Sequence, residues 1–276
     1  MTYKDFLADK SRPCSIVAHR GVWRDAPENS LLAIERAISA GYDVVEIDVR
    51  RTTDGDLVLL HDETLERTAG VAGRPEDMTS AQLTALHLRN RDGGPDNVFT
   101  AQNLPRLADV FALTRDRIYI HLDIKDRDVI AEALTLSQQL GVDQQVDFWA
   151  DLKTEADVAW VEQTILSQNI AFIARTRLEQ PSGPQQLALM FDLQPDVCEL
   201  SFTDLSQIAA LRERFARASI ALWVNTLDGV ASPGFTDTIA LQDPHGVWGR
   251  LLDAGFSTIQ TDEMAALQRY LGDLGN

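Results

Sequence analysis

Short runs of β-branched and aliphatic residues alternate along the chain with longer stretches whose apolar residues recur at every third and fourth position. The short runs, at residues 15–19, 44–49, 118–124, 146–150, 170–174, 197–200, 220–224 and 258–261, predict strands. The longer stretches at 30–40, 104–114, 128–140, 155–167, 205–217 and 247–254 predict amphipathic helices. The first helix is expected to be capped by Asn29 and to stop at Gly41, with Leu31, Ile34 and Ile38 facing the sheet. Strand and helix in strict alternation imply a parallel sheet, and eight such repeats in about 250 residues are the count of a (β/α)8 TIM barrel. No Pro/Ser-rich linker interrupts the pattern, so residues 1–276 are expected to form a single α/β domain. Two segments are too long for ordinary barrel loops and predict excursions, at about 68–103 and 228–246.

Composition narrows the partners. Hydrophobic residues make up 45% and charged residues 24%, which fits a globular protein with a full core and argues against disorder or a fibrous repeat. The 25 Lys and Arg face 42 Asp and Glu, a net charge of −17. Such a surface repels a polyanion, so nucleic acid is not an expected partner and an anionic substrate has to be small. Cys14 and Cys198 are too few and too far apart for a disulfide framework or a thiolate zinc site, and both read as buried thiols. Charges at Lys4, Asp5, Asp9, Lys10 and Arg12 break the amino-terminal stretch, which holds no apolar run long enough for a signal peptide. A cytoplasmic location is the expectation. No basic amphipathic helix or aromatic cluster suggests stable membrane association, and a homo-oligomer remains open.

The chemistry concentrates between Ile16 and Thr68. Glu46 and Asp48 are two apart in Val-Val-Glu-Ile-Asp-Val-Arg, so they share one face of a strand. On an exposed strand this would be a solvated face. Here the surrounding run is apolar, and paired carboxylates in a buried strand need a cation or a proton between them. Thr53-Asp54-Gly55-Asp56 is a turn signal, and a hairpin there would return His61 to the side of Asp48. His19 closes the first strand and is followed by Arg20. Two imidazoles beside a carboxylate-bound cation suit acid–base catalysis on a phosphoester, and the Arg20 fork suits phosphate oxygens, unless it pairs with an acidic neighbour. His121, Asp123 and Lys125 share a face of a third strand. Asp123 can complete the cation site and Lys125 can neutralise a phosphate oxygen; an internal Asp–Lys pair is the plain alternative. Trp223 offers either an aromatic wall for a sugar or glycerol face or a core residue.

The order AHRG, PENS, EIDVRRTTDG, LLHDETLERT, LDIK, LWVN and a final TD resembles the glycerophosphodiester phosphodiesterase family. That resemblance implies a barrel enzyme binding one divalent cation, calcium or magnesium with manganese as an alternative, and cleaving a small phosphodiester to glycerol 3-phosphate and an alcohol. It implies His19 and His61 as the acid–base pair, Glu46, Asp48 and Asp123 as metal ligands, and Arg20 and Lys125 as phosphate holders. Glu28 and Asn29 would brace the loop around the site. Four features depart from the family pattern: Asp123 replaces a glutamate, His121 replaces an asparagine, the seventh strand reads Trp-Val-Asn-Thr, and Glu263-Met264 replaces a proline after the last Thr-Asp. They bear on the alcohol substituent. They also motivate two rival expectations, a narrow enzyme for sugar- or opine-type phosphodiesters and a noncatalytic phosphoester-binding barrel.

Overall fold

The computed structural model describes residues 1–9, 11 and 14–275. Its strands in chain order are β1 (Ser15–His19), β2 (Val44–Arg51), β3 (Leu57–Leu59), β4 (His87–Arg89), β5 (Phe99–Asn103), β6 (Tyr119–Asp123), β7 (Val146–Asp151), β8 (Ala171–Arg177), β9 (Val197–Ser201), β10 (Ala221–Asn225) and β11 (Phe256–Thr261). β3, β4 and β5 make antiparallel pairings, and the other eight each lead into at least one helix, as a (β/α)8 barrel requires. Among the helices without a counterpart in the expected stretches, the two longest follow β8 and β11, at Gly183–Leu193 and Met264–Leu274. No helix among the described residues is long and apolar enough to cross a membrane. The chain forms two compact units, one of Ala18–Val146 and one of Met1–Val17 with Asp147–Asn276.

In the unit of Ala18–Val146, β2 is the central element. Every residue from Val44 to Val49 is buried, so the strand shows no alternation, as befits a parallel strand covered on both faces. It pairs in parallel with β6, from Val44 opposite Tyr119 to Asp48 opposite Asp123. On its other edge it pairs antiparallel with β3, Val49 opposite Leu59, across the turn at Thr52–Asp56. That turn is closed by Thr52 N–H donating to the Asp56 carbonyl at 2.9 Å and by the Thr52 hydroxyl receiving the Asp56 N–H at 2.9 Å.

The helix Leu31–Ser39 is capped by Ser30, not by Asn29: the Ser30 hydroxyl accepts from Ala33 N–H at 3.1 Å. Asn29 is instead in the left-handed region at φ 56°, which frees its side chain for the site. Of the three apolar residues expected to face the sheet only Ile34 is fully buried, beside Ala33 and Ala37. The small residues carry the contact because the chain after β1 passes very close. Gly21 sits at φ +78°, where a Cβ would come within 2.7 Å of the Ala33 carbonyl carbon.

The excursion after β3 is ordered. It contains two short helices, Glu66–Ala69 and Ser80–Leu83, and the hairpin of β4 and β5. Val58, Leu60, Leu65, Ala69, Leu83, Leu88 and Leu104 give it a small core of its own. Reciprocal backbone bonds tie it to the segment after β1, Glu28 N–H to the Arg91 carbonyl at 2.9 Å and Arg91 N–H to the Ala26 carbonyl at 3.1 Å.

In the other unit β7 to β11 run parallel in sequence order, around a core that includes Phe148, Phe172, Phe202, Trp223 and Trp248. The 228–246 excursion is anchored by buried Asp237, whose carboxylate accepts from the hydroxyls of Thr226 and Thr261, both at 2.6 Å, and from Asp262 N–H at 2.8 Å. Cys198 is buried and its thiol pKa is pushed up to about 12 by that burial, whereas Cys14, expected to be buried as well, is only half-buried. Both are free thiols.

Gly21→Ala is expected to destabilise the protein by about 2–4 kcal/mol, combining a left-handed φ with a backbone clash. Equilibrium urea unfolding measures it; a loss comparable to a neutral surface substitution would contradict the close approach.

Candidate active site

Glu46, Asp48 and Asp123 each offer a carboxylate oxygen, and these oxygens lie within 4.8 Å of one another. The β2–β6 register produces the meeting: Asp48 and Asp123 are direct partners, and Glu46 projects from the same face two residues earlier. Glu46 is 2% exposed and Asp48 3%. Burial drives the Glu46 carboxyl well above the usual carboxylate range, and the charges of Asp48 and Asp123 push the same way, against Arg20.

The hydrogen bonds around the cluster leave oxygens for a ligand. Glu46 Oε2 accepts from Arg20 N–H at 2.9 Å, and Asp48 Oδ2 accepts from Asn29 Nδ2 at 2.8 Å. Arg20 Nε lies 3.2 Å from the same Asp48 oxygen. Glu46 Oε1 and Asp48 Oδ1 make no hydrogen bond among the described residues. Hard oxygen donors at this spacing fit calcium or magnesium, whose metal–oxygen bonds are about 2.0–2.6 Å. The donor set contains no sulfur or imidazole that would favour a softer ion.

Asn29 and Glu28 connect this cluster to its surroundings. Asp48 N–H donates to Asn29 Oδ1 at 3.1 Å while Asn29 Nδ2 donates to the Asp48 side chain, a reciprocal clamp on that residue. Glu28 accepts two bonds from Arg20 Nη1, at 3.1 and 3.2 Å. Arg20 is thus held between Glu28 and Asp48, and its Nη2 makes no hydrogen bond among the described residues.

The β2–β3 hairpin returns His61 to this region: Leu60 N–H donates to the Asp48 carbonyl at 3.1 Å, and Arg50 Nη2 donates to the His61 carbonyl at 3.0 Å. His61 Nδ1 is 2.8 Å from Asp62 Oδ1, an acceptor-only carboxylate oxygen that calls for a proton on Nδ1. Asp62 is gripped in turn by Arg67, and those hydrogen bonds hold its carboxyl well below the usual range. His19 ends β1, half-buried, next to the residue whose backbone N–H binds Glu46.

Asp48, His61, Asp123 and Lys125 line one cleft of about 280 Å³ together with Arg50, Arg51, Arg74 and Glu76. Arg50 and Arg74 pair with Glu76, and Arg51 pairs with Glu132. Exposed Lys125 has no ion pair or hydrogen bond among the described residues, so its charge is available to an anion. His121 is 4% exposed, opposite Glu46 on β6. Trp223 belongs to the other unit; its ring is fully buried at 0% exposure, and its Nε1 donates to Asn225 at 2.9 Å. Sequence reasoning gave no part to Asp62 and Arg67. They stand five apart, which matches no helical or strand pairing, so spacing carries no signal of their contact.

The chain matches the model of the glycerophosphoryl diester phosphodiesterase family over residues 19–217, and a model of a domain of unknown function over residues 172–271. It is 35% identical over 116 residues to a glycerophosphodiester phosphodiesterase of Caldanaerobacter subterraneus subsp. tengcongensis, covering 42% of this chain and 46% of the relative. It is 38% identical over 116 residues to the Homo sapiens glycerophosphodiester phosphodiesterase 1, covering 40% and 34% of the two chains. The chain therefore spans about half or less of the length of these curated relatives. A glycerophosphoryl diester phosphodiesterase structure from Parabacteroides distasonis shares the fold with a TM-score of 0.75 at 20% identity, covering 98% of this chain and 92% of that one. So does a phosphodiesterase of Oleispira antarctica solved with the product sn-glycerol-3-phosphate, with a TM-score of 0.67 at 19% identity and coverage of 94% and 97%.

Because the Glu46 pKa is raised on folding, its favourable contribution in metal-free protein is present below the ordinary carboxylate pKa and is lost as pH rises through the folded value. Glu46→Gln is therefore expected to raise the melting temperature of chelator-treated protein at pH 8. Calcium or magnesium at about 100 times its Kd is expected to raise that of the parent by about 5 °C and to leave the variant unmoved. Differential scanning fluorimetry reads both; equal cation shifts in parent and variant would remove Glu46 from the ligand set.

Proposed function

The chain belongs to the glycerophosphoryl diester phosphodiesterase family, and from that premise we propose that it is a divalent-cation-dependent hydrolase cleaving a small glycerophosphodiester to glycerol 3-phosphate and an alcohol. The observation that carries the reading is the cleft itself, where two of the three clustered carboxylates, a carboxylate-buttressed histidine and an unpaired lysine line one space. The glycerol phosphate bound by the fold neighbour from Oleispira antarctica supports the choice of substrate class.

When bound by Glu46, Asp48 and Asp123, a divalent cation supplies Lewis acidity and positive charge for a nonbridging phosphate oxygen. Lys125 neutralises a second oxygen, and Arg20 directs its remaining Nη2 toward the same charge while its other nitrogens keep Asp48 and Glu28 in place. His61 takes a proton at Nε2 from the attacking oxygen, because the Asp62 carboxylate at Nδ1 stabilises the imidazolium that results. His19 gives a proton to the leaving alcohol oxygen. The attacking oxygen is either water, or a hydroxyl of the substrate's own glycerol that closes a cyclic phosphate as the alcohol leaves; on that route water, deprotonated by one histidine while the other protonates the ring oxygen that departs, then opens the ring to glycerol 3-phosphate.

His19→Ala and His61→Ala are each expected to lower kcat on glycerophosphocholine by about 10²- to 10⁴-fold with the melting temperature preserved. Parent-like hydrolysis by both folded variants would refute the acid–base assignment. Lys125→Met is expected to raise KM for the diester more than it lowers kcat. Chelation should abolish turnover, and calcium, magnesium or manganese should restore it; a panel of glycerol- and sugar-phosphate diesters distinguishes the general enzyme from a narrow one by its kcat/KM ranking.

A further inference from the structure

Arg67, on the short helix Glu66–Ala69, spends its whole guanidinium on three partners. Nε donates to Asp62 Oδ2 at 2.7 Å and Nη2 to Asp62 Oδ1 at 2.8 Å, a two-pronged grip on one carboxylate. Nη2 also donates to Glu28 Oε1 at 2.6 Å, and Nη1 donates to the Asp92 carbonyl. Beyond these partners the contacts continue in both directions. Asp62 holds His61 Nδ1, and Glu28 holds Arg20, which reaches Asp48. Charges alternate along the row Asp62, Arg67, Glu28, Arg20, Asp48, and Arg67 is the member that joins the histidine branch to the carboxylate branch.

The backbone at Arg67 is fixed as firmly as the side chain. Gly94 N–H donates to the Arg67 carbonyl at 2.6 Å, and Gly93, at φ +74°, passes so close that a Cβ there would come within 2.5 Å of that oxygen. The excursion after β3 thereby places one guanidinium between the loop that carries Asp62 and the loop that carries Glu28.

We propose that Arg67 is a positioning residue: by pinning Asp62 beside Glu28 it fixes the tautomer and orientation of the His61 ring. It touches no reacting atom. This rests on the phosphodiesterase reading for its kinetic consequence, although the ring geometry it governs can be observed without turnover. A free Asp62 could rotate away from Nδ1, and His61 would then populate the Nε2–H tautomer, which has no lone pair where the proton acceptor is needed.

The test combines Arg67→Met, Arg67→Lys, Asp62→Asn and the double variant Arg67→Met/Asp62→Asn. Arg67→Lys keeps a charge beside buried Glu28 and serves if Arg67→Met does not fold. The expected loss is about 10- to 100-fold in kcat for either Arg67 variant, with KM changed by less than about threefold. The double variant should lose little more than Asp62→Asn alone, since both act on one imidazole. Nitrogen-15 NMR of His61 at pH 8, assigned with His61→Ala, should show the Nδ1–H tautomer in the parent and a shift toward Nε2–H in the Arg67 variants. Losses that add in the double variant, or an unchanged His61 spectrum in both Arg67 variants, would overturn the proposal. A parent that hydrolyses no glycerophosphodiester under any cation would sink the phosphodiesterase reading instead, and the NMR comparison would still decide the role of Arg67.

Discussion

Three carboxylates within 4.8 Å, two of them almost wholly removed from water, are the feature to which the surrounding structure answers. Burying one charge in a protein interior costs several kcal/mol, and like charges side by side add to that. A backbone N–H on Glu46, the Asn29 clamp on Asp48 and the Arg20 guanidinium return part of that cost. What they leave is a Glu46 carboxyl whose pKa is raised by burial and by its two carboxylate neighbours.

The parts that answer this charge come from different kinds of structure. β2 and β6 are rigid, and their register alone sets the carboxylates against each other. Arg20 and Asn29 both take left-handed backbone conformations, near φ 55°, in the chain between β1 and the helix that follows. Such conformations are costly for side chains other than glycine and are kept where the surroundings over-determine them. Here the surroundings are the bonds to Glu46, Asp48 and Glu28. The excursion after β3 contributes the counter-charge to Glu28 and the buttress of His61, so a segment with its own small core acts as part of the wall of the cleft.

Much of this was legible in one dimension. The eight parallel strands fall where the apolar runs lie, the Asp54-Gly55 turn returns the chain as its residues require, and Glu46 with Asp48 share a face by strand alternation. The cap of the first helix was misplaced by one residue, because Asn29 and Ser30 are equally good caps by chemistry and only the pull of Asp48 on Asn29 separates them. The hairpin within the excursion was not visible, since short polar strands such as Phe99–Asn103 lack a hydrophobic period.

Sequence by itself determined the elements and the local pairs of this protein, because periodicity and turn chemistry act over a few residues. Tertiary structure decided everything that depends on residues far apart: that Asp48 meets Asp123, that Glu28 is shared by Arg20 and Arg67, and that Trp223 is fully buried. Register between distant strands and the sharing of one carboxylate by two guanidiniums follow from how the chain packs, and no local pattern encodes them.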